Sequence, residues 1–423
     1  MPMLLSRASQ DKHDERYIPT IFRLVLPVAV AAALLLCPVG GAQQPKHVHH
    51  GSGDNAPPAE AGYPVLAIGS PAPDFSLPGI DGKTHSLKDY NSSKILAIIF
   101  TCNHCPVAQM YEKRIKQLYA DYRNRGVGFV VIMGNDDRAE KDSELAFTDV
   151  GDSFADMKIR AAYRGLTYPY LYDGATQSVT RKYGPTATPH IFIFDRQRIL
   201  RYEGRIDSNP REELATKHEA RDALDAMLAG QEVAVKSTPA MGCSTKWAFK
   251  ESSVKEEDDR NDAKPVTLDK ISPADLKKLL QNRGTDEILF VNFWATWCAP
   301  CVEEFPAIEK MVRWFDQRQV EFVTVSINNT DEQSLVLRML KKQHAYNKNF
   351  ILDSTDAADA VAALGNPAWK GSVPFTAIID TDGKIAYSTQ AGTLDPILTR
   401  RALLKVLPDD RYIGQLAYWN SKF

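Results

Sequence analysis

Two stretches of the chain, FTCNHCPVAQ from Phe100 and FWATWCAPCVEEFP from Phe293, each set a pair of cysteines between an apolar run and a helical repeat. That placement constrains the fold more than any other feature. A continuous apolar run such as ILAIIF (95–100) or ILFVNFW (288–294) suits a strand buried on both faces, which requires helices to cover it. After Pro106 the residues Val107, Met110, Ile115, Leu118 and Tyr122 recur at roughly helical steps, and after Cys301 so do Phe305, Ile308, Val312 and Phe315. Further strands are expected at 128–133, 191–194, 320–327 and 375–379, and a last helix near 398–406. The order of elements repeats, so the chain reads as two versions of one α/β/α sandwich in tandem, each with a central mixed sheet.

A chain of 423 residues is long enough for two domains and tails. The formal net charge of −2 provides neither a basic stripe for nucleic acid nor a polybasic membrane patch. LVLPVAVAAALLLCPVGGA follows Lys12, Arg16 and Arg23 and closes on Gly40 and Ala42, the layout of a secretory signal peptide, so 1–42 is read as a signal cleaved after Ala42. Left uncleaved, the segment would serve as an N-terminal membrane anchor. Bulky Leu36 argues against lipidation of Cys37. Residues 43–62, rich in Pro, Gly and Ala, read as a disordered linker whose His47, His49 and His50 are solvated. The folded units are placed at 63–247 and 265–423, joined by a charged linker at 248–264.

Export to the periplasm or the outer face of the cytoplasmic membrane, with five cysteines left after cleavage, calls for redox chemistry. A shared zinc ion would need four thiolates to converge from two distant strand-to-helix junctions, so no metal and no other cofactor is expected. A pair at a helix start has a physical use: first-turn amides and the helix dipole stabilise a thiolate, and a second cysteine one turn on displaces the mixed disulfide. Cys102 and Cys298 are therefore read as attacking thiols, with Cys105 and Cys301 resolving. His104 is expected to donate a hydrogen bond or charge to the Cys102 thiolate and so make the first pair the more oxidising. Structural disulfides without turnover are the plainer alternative.

At this point the residues carry a family resemblance. WATWCAPC with EEFP after it resembles the thioredoxin superfamily, and within it the TlpA/ResA group of exported thiol-disulfide oxidoreductases. GSPAPDFSLPGIDGKTHSLKDY, from Gly69, resembles the opening segment of the redoxin branch, related to AhpC/TSA peroxiredoxins, although no PxxxTxxC frame surrounds Cys102. The resemblance implies that Pro189 and Pro374 are cis prolines beside the active cysteines, and that the backbone of Thr188 and Val373 pairs with a substrate strand. Asn292 stands where thioredoxins carry a buried aspartate, and Glu304 is the candidate for its proton-handling role, with Glu303 a solvated carboxylate. Cys243, in TPAMGCSTKW, resembles part of the C-terminal signature of CNHC-type redoxins. It is read as a lone buried or capping cysteine, with a third redox thiol as the alternative.

The implied activity is disulfide exchange with protein disulfide or dithiol substrates, fed by a membrane electron donor, in cytochrome maturation or repair of wrong disulfides. Copper(I) handling by the thiolate pairs together with the HVHH histidines, His47, His49 and His50, and a thiol-dependent peroxidase are the rival readings.

Overall fold

In the computed structural model the described residues are 62–354, 356, 358–389 and 392–407. The signal-peptide and tail readings for 1–42 and 43–61, and residues 408–423, lie outside them. Among the described residues no helix is long and apolar enough to cross a membrane.

The first half opens with a small antiparallel hairpin, β1 (Ser76–Pro78) and β2 (Thr84–Ser86). The apolar run then becomes β3 (Ile95–Thr101), all seven residues buried, followed by α1 (Pro106–Tyr122) and β4 (Val127–Met133). After α2 (Phe154–Arg164) come β5 (Tyr170–Tyr172), α3 (Thr180–Tyr183), the two-residue β6 (Ala187–Thr188), β7 (His190–Phe194) and β8 (Leu200–Gly204). The half ends with α4 (Glu219–Leu228) and β9 (Cys243–Ser244).

Its five-stranded sheet has the order β5-β4-β3-β7-β8, with β3, β4 and β5 parallel and β7 antiparallel to β3. Alternate residues of β3 face opposite layers, as the strand period requires. Ile95, Ala97 and Ile99 pack with α1 and α4, and Leu96, Ile98 and Phe100 pack against Phe75, Leu77, Val179 and Tyr183. Each of the Ile, Leu, Val and Phe side chains among them contributes about 1.5–3 kcal/mol on full burial.

The segment read as a charged linker is instead helical, α5 (Glu251–Asp262). Its carboxylates find partners on both sides: Glu257 accepts from Ser143, and Asp258 and Asp262 pair with Arg313. The second half then runs β10 (Asp269–Ile271), α6 (Pro273–Leu280), β11 (Ile288–Trp294), α7 (Ala299–Phe315), β12 (Val320–Ser326), α8 (Gln333–Lys342), β13 (Lys348–Leu352), α9 (Ala358–Leu364), β14 (Phe375–Ile379), β15 (Ile385–Ser388) and α10 (Pro396–Val406). Its six strands follow the order β10-β13-β12-β11-β14-β15, all running the same way except β14, which is antiparallel to both β11 and β15. Helices α7 and α10 cover one face, α6 and α9 the other. Both halves thus have the mixed central sheet that the apolar runs imply.

The halves pack directly on one another within one compact unit that spans Pro57–Phe423. Leu145 of the first half enters the core of the second. Trp314 Nε1 donates to Asp142 at 2.9 Å, Arg401 Nε to the Asp149 carboxylate at 2.6 Å, and Arg400 Nε to the Asp149 carbonyl at 2.8 Å.

Candidate active sites

Both cysteine pairs lie where a buried central strand meets its helix, but the helices start in different places. In the second half Cys298 is the N-cap of α7, and its Sγ accepts from the Cys301 amide at 3.3 Å. Pro300 falls within the first helical turn, where a missing amide hydrogen costs nothing. In the first half Pro106 itself opens α1, so Cys105 is the N-cap and accepts from the Ala108 amide at 3.5 Å. One shift of the proline relative to the pair thus gives the helix-start amides to a different cysteine in each half. Cys298 and Cys301 form a disulfide, whereas Cys102, Cys105 and Cys243 are free thiols.

This register alters the sequence reading of the first site. Burial drives the Cys102 thiol well above its ordinary value, and the neighbouring Cys105 and Asp152 push in the same direction. Burial acts on Cys105 too, yet hydrogen bonds from the Cys102 and Cys243 thiols, the His104 charge and the Ala108 amide outweigh it and hold Cys105 well below the thiol range. The surroundings therefore favour a thiolate at Cys105 over one at Cys102. The Cys102 Sγ instead lies 3.0 Å from the Thr188 hydroxyl.

His104 also differs from expectation. Its Nδ1 bonds Asp152 at 2.7 Å and stands 3.3 Å from Glu140, while Nε2 has no hydrogen-bond partner among the described residues. It makes no hydrogen bond to Cys102. Burial alone would lower its pKa, but the Asp152 charge and hydrogen bond, with Glu140 behind them, raise it well above the imidazole range. The ring is therefore a buried cation at neutral pH, and its charge falls on Cys105. The fully buried Asp152 also accepts from the Asn103 amide at 2.7 Å and from Asn135 Nδ2 at 2.7 Å. Asp152, Glu140 and Asn135 belong to no motif in the sequence, because each comes from a loop tens of residues beyond the CNHC segment. The Cys102 thiol, one His104 nitrogen and an Asp152 oxygen lie within 4.8 Å of one another. The short His104–Asp152 bond accounts for the approach of those two residues, and the neighbouring CxxC geometry brings Cys102 beside them.

In the second site Asn292 is fully buried and donates to Glu304 Oε1 at 2.9 Å and to Thr376 at 3.0 Å. Glu304, 5% exposed, also accepts from the Leu394 amide at 2.9 Å. Burial raises its pKa despite these two bonds. Glu304 is thus a buried carboxylate held three residues beyond Cys301, while Glu303 is exposed. Trp297, directly before Cys298, is 63% exposed.

Pro189 and Pro374 follow cis peptide bonds. Their surroundings differ: Thr188 is paired in register with Cys243 through β6 and β9, whereas Val373 makes no backbone hydrogen bond among the described residues.

Comparison with known proteins agrees with this tandem. The AhpC/TSA family matches residues 68–203 and the Redoxin family residues 260–407. The chain is similar to the thiol-disulfide oxidoreductase ResA of Bacillus subtilis (strain 168), 33% identical over 97 residues, which cover 23% of this chain and 49% of that protein. The ResA of Geobacillus thermodenitrificans (strain NG80-2) is 28% identical over 132 residues, covering 31% of this chain and 66% of its own length. The chain spans about half the length of the first of these curated relatives. A solved structure of an uncharacterized conserved protein from Geobacillus kaustophilus is 36% identical, with a TM-score of 0.39, covering 44% of this chain and 95% of its own. With two family matches in series, one on each cysteine-bearing sandwich, the chain belongs to the thioredoxin superfamily as a tandem of an AhpC/TSA-family domain and a Redoxin-family domain.

Proposed function

We propose that the protein is an exported thiol-disulfide oxidoreductase that exchanges disulfides with partner proteins through its two CxxC sites. The observation that carries the reading is the second site: Cys298 caps α7 beside an exposed Trp297, and Val373, packed in the same cluster, makes no backbone hydrogen bond among the described residues, which would leave it able to pair with a substrate strand. In the reduced protein the Cys298 thiolate attacks a substrate disulfide and forms a mixed disulfide. Cys301 then gives up its proton, with Glu304 as the nearby acceptor, and attacks Cys298 Sγ. The substrate leaves with the two electrons of the dithiol, and the Cys298–Cys301 disulfide re-forms. A membrane electron donor that reduces it again, a place in the periplasm or on the outer membrane face, and a role in cytochrome maturation are part of the same proposal, motivated by the signal-like segment and the similarity to ResA.

The first pair serves as the more oxidising couple, because the buried His104 cation and the α1 amides favour the reduced Cys105 thiolate. Insulin reduction by the whole chain tests the reading. It is expected to be lost with Cys298→Ser, and unchanged turnover in that variant would exclude it. Separate glutathione titrations of the two pairs should find the first at the higher potential. The AhpC/TSA match supports a second reading, thiol-dependent peroxidase, which requires peroxide consumption that disappears with Cys102→Ser. The Cys102–His104–Asp152 proximity supports copper handling, which requires stoichiometric metal lost in the same variant.

A further inference from the structure

Cys243 lies far from both CxxC motifs in sequence, yet the fold brings it to the first pair. Strand β9 runs antiparallel to β6, with Cys243 opposite Thr188, the residue before Pro189. The Cys243 amide donates to Cys105 Sγ at 3.2 Å. The approach depends on Gly242: its φ is +147°, and a Cβ there would sit 1.9 Å from the Thr188 carbonyl oxygen. Beyond the cysteine the strap is tied down by Lys246, whose amide donates to Asn135 Oδ1 at 2.9 Å and whose carbonyl accepts from Gln177 at 2.8 Å. Asn135 is the same side chain that holds Asp152. The strap is therefore fixed to the network that charges His104.

At the corresponding position in the second domain, Val373 makes no backbone hydrogen bond among the described residues. In the first domain this chain fills its own substrate edge, and the residue it presents there is a cysteine.

We propose that Cys243 is a third redox thiol, docked on the β6 edge as the built-in exchange partner of Cys105. The proposal rests on the reading that the CxxC thiols exchange disulfides. From the Cys102–Cys105 disulfide, the Cys243 thiolate attacks Cys105 Sγ. A Cys243–Cys105 bond forms, and the electron pair of the broken bond leaves on Cys102, which takes up a proton in place of the one lost by Cys243. No net oxidation occurs, so the step needs no further oxidant. Both Cys102 and Cys243 are raised above the ordinary thiol value, Cys102 by burial and Cys243 by its contact with Cys105, so one proton is simply traded for another. The exchange carries the disulfide from two fully buried cysteines, Cys102 and Cys105, to a pair that includes the only partly buried Cys243, the one of the three within reach of an external protein's thiol. Cys105 is the shared sulfur because it alone meets both neighbours; its amide-side contact with Cys243 and its CxxC link to Cys102 converge on one atom.

The experiment equilibrates the full chain carrying Cys102→Ser in a glutathione and glutathione-disulfide buffer, blocks free thiols, and maps disulfides by peptide mass spectrometry. A Cys105–Cys243 disulfide in most molecules is expected. Recovery of Cys243 as a free, blocked thiol while Cys298–Cys301 in the same molecules is oxidised would overturn the proposal. A second variant, Gly242→Ala with Cys102→Ser, should lower the Cys105–Cys243 yield at least about tenfold, since displaced Cβ positions cannot be bridged. An unchanged yield would reject docking at the β6 edge. The wild-type chain in the same buffer reports Cys102–Cys105 independently, so a failure of the parent reading at this site shows up separately from a failure of Cys243.

Discussion

At the scale of single residues, the first site is governed by one buried cation between two carboxyls. With Asp152 ionised and Glu140 pushed well above the carboxylate range by burial and by Asp152, His104 keeps its proton and lends its charge to Cys105. His104→Gln should raise the pH at which the Cys105 thiolate forms by roughly one to two units, read from thiolate ultraviolet absorbance in a Cys102→Ser background. The same pair sets a pH window for stability. The raised His104 contributes fully below the unfolded imidazole value of about 6.5 and loses its contribution as pH rises through its higher folded value. The lowered Asp152 contributes above the unfolded value of about 3.9 and loses it in acid. Asp152→Asn should therefore cost most, about 3 kcal/mol, between roughly pH 4 and 6.5, as measured by denaturant midpoints across pH.

At the scale of elements, a proline decides which sulfur the helix serves, and this was only half legible in the sequence. The apolar runs and the cysteines that follow them located β3, α1, β11 and α7. The choice of Cys105 as N-cap came from Pro106 taking the N1 position, visible in CNHCP only once the helix start is known. The charged segment 250–264 read as a linker because it has no apolar stripe; it is helical because its acidic face meets Arg313 and Ser143, partners no local pattern reveals. On α7, Glu309 is buried, and neither carboxylate oxygen has a hydrogen-bond partner among the described residues. Burial pushes its pKa up to about 8. A raised folded value means a stability penalty that grows as pH climbs from the ordinary carboxylate range toward 8. Glu309→Gln should accordingly stabilise by about 2 kcal/mol at pH 8 and by little at pH 4, a difference that thermal melts at the two pH values would reveal.

At the scale of the whole molecule, Asp149 links the two domains. It is 2% exposed and holds Arg160 of its own domain and Arg401 of the other. Removing one member of a buried charge cluster costs about 3–5 kcal/mol because its partners stay buried and unpaired. Asp149→Ala should split a single calorimetric unfolding transition into two, one for each domain; a single transition with unchanged midpoint would show that the halves are joined by other contacts.

The sequence alone determined the tandem, the buried strands and the position of the cysteine pairs, because hydrophobic period and CxxC spacing are local properties of the chain. Only the tertiary structure decided that Glu304 is buried against Asn292, that His104 faces Asp152, and that Cys243 lies on the β6 edge. Each of these joins residues 12 to 55 positions apart or more, through packing that depends on the whole sheet. Thus the CNHC and CAPC pairs, so alike as motifs, are set apart by what the fold brings to them: an edge occupied by Cys243 and a buried cation in one, and in the other a buried carboxylate and an edge at Val373 with no backbone partner among the described residues.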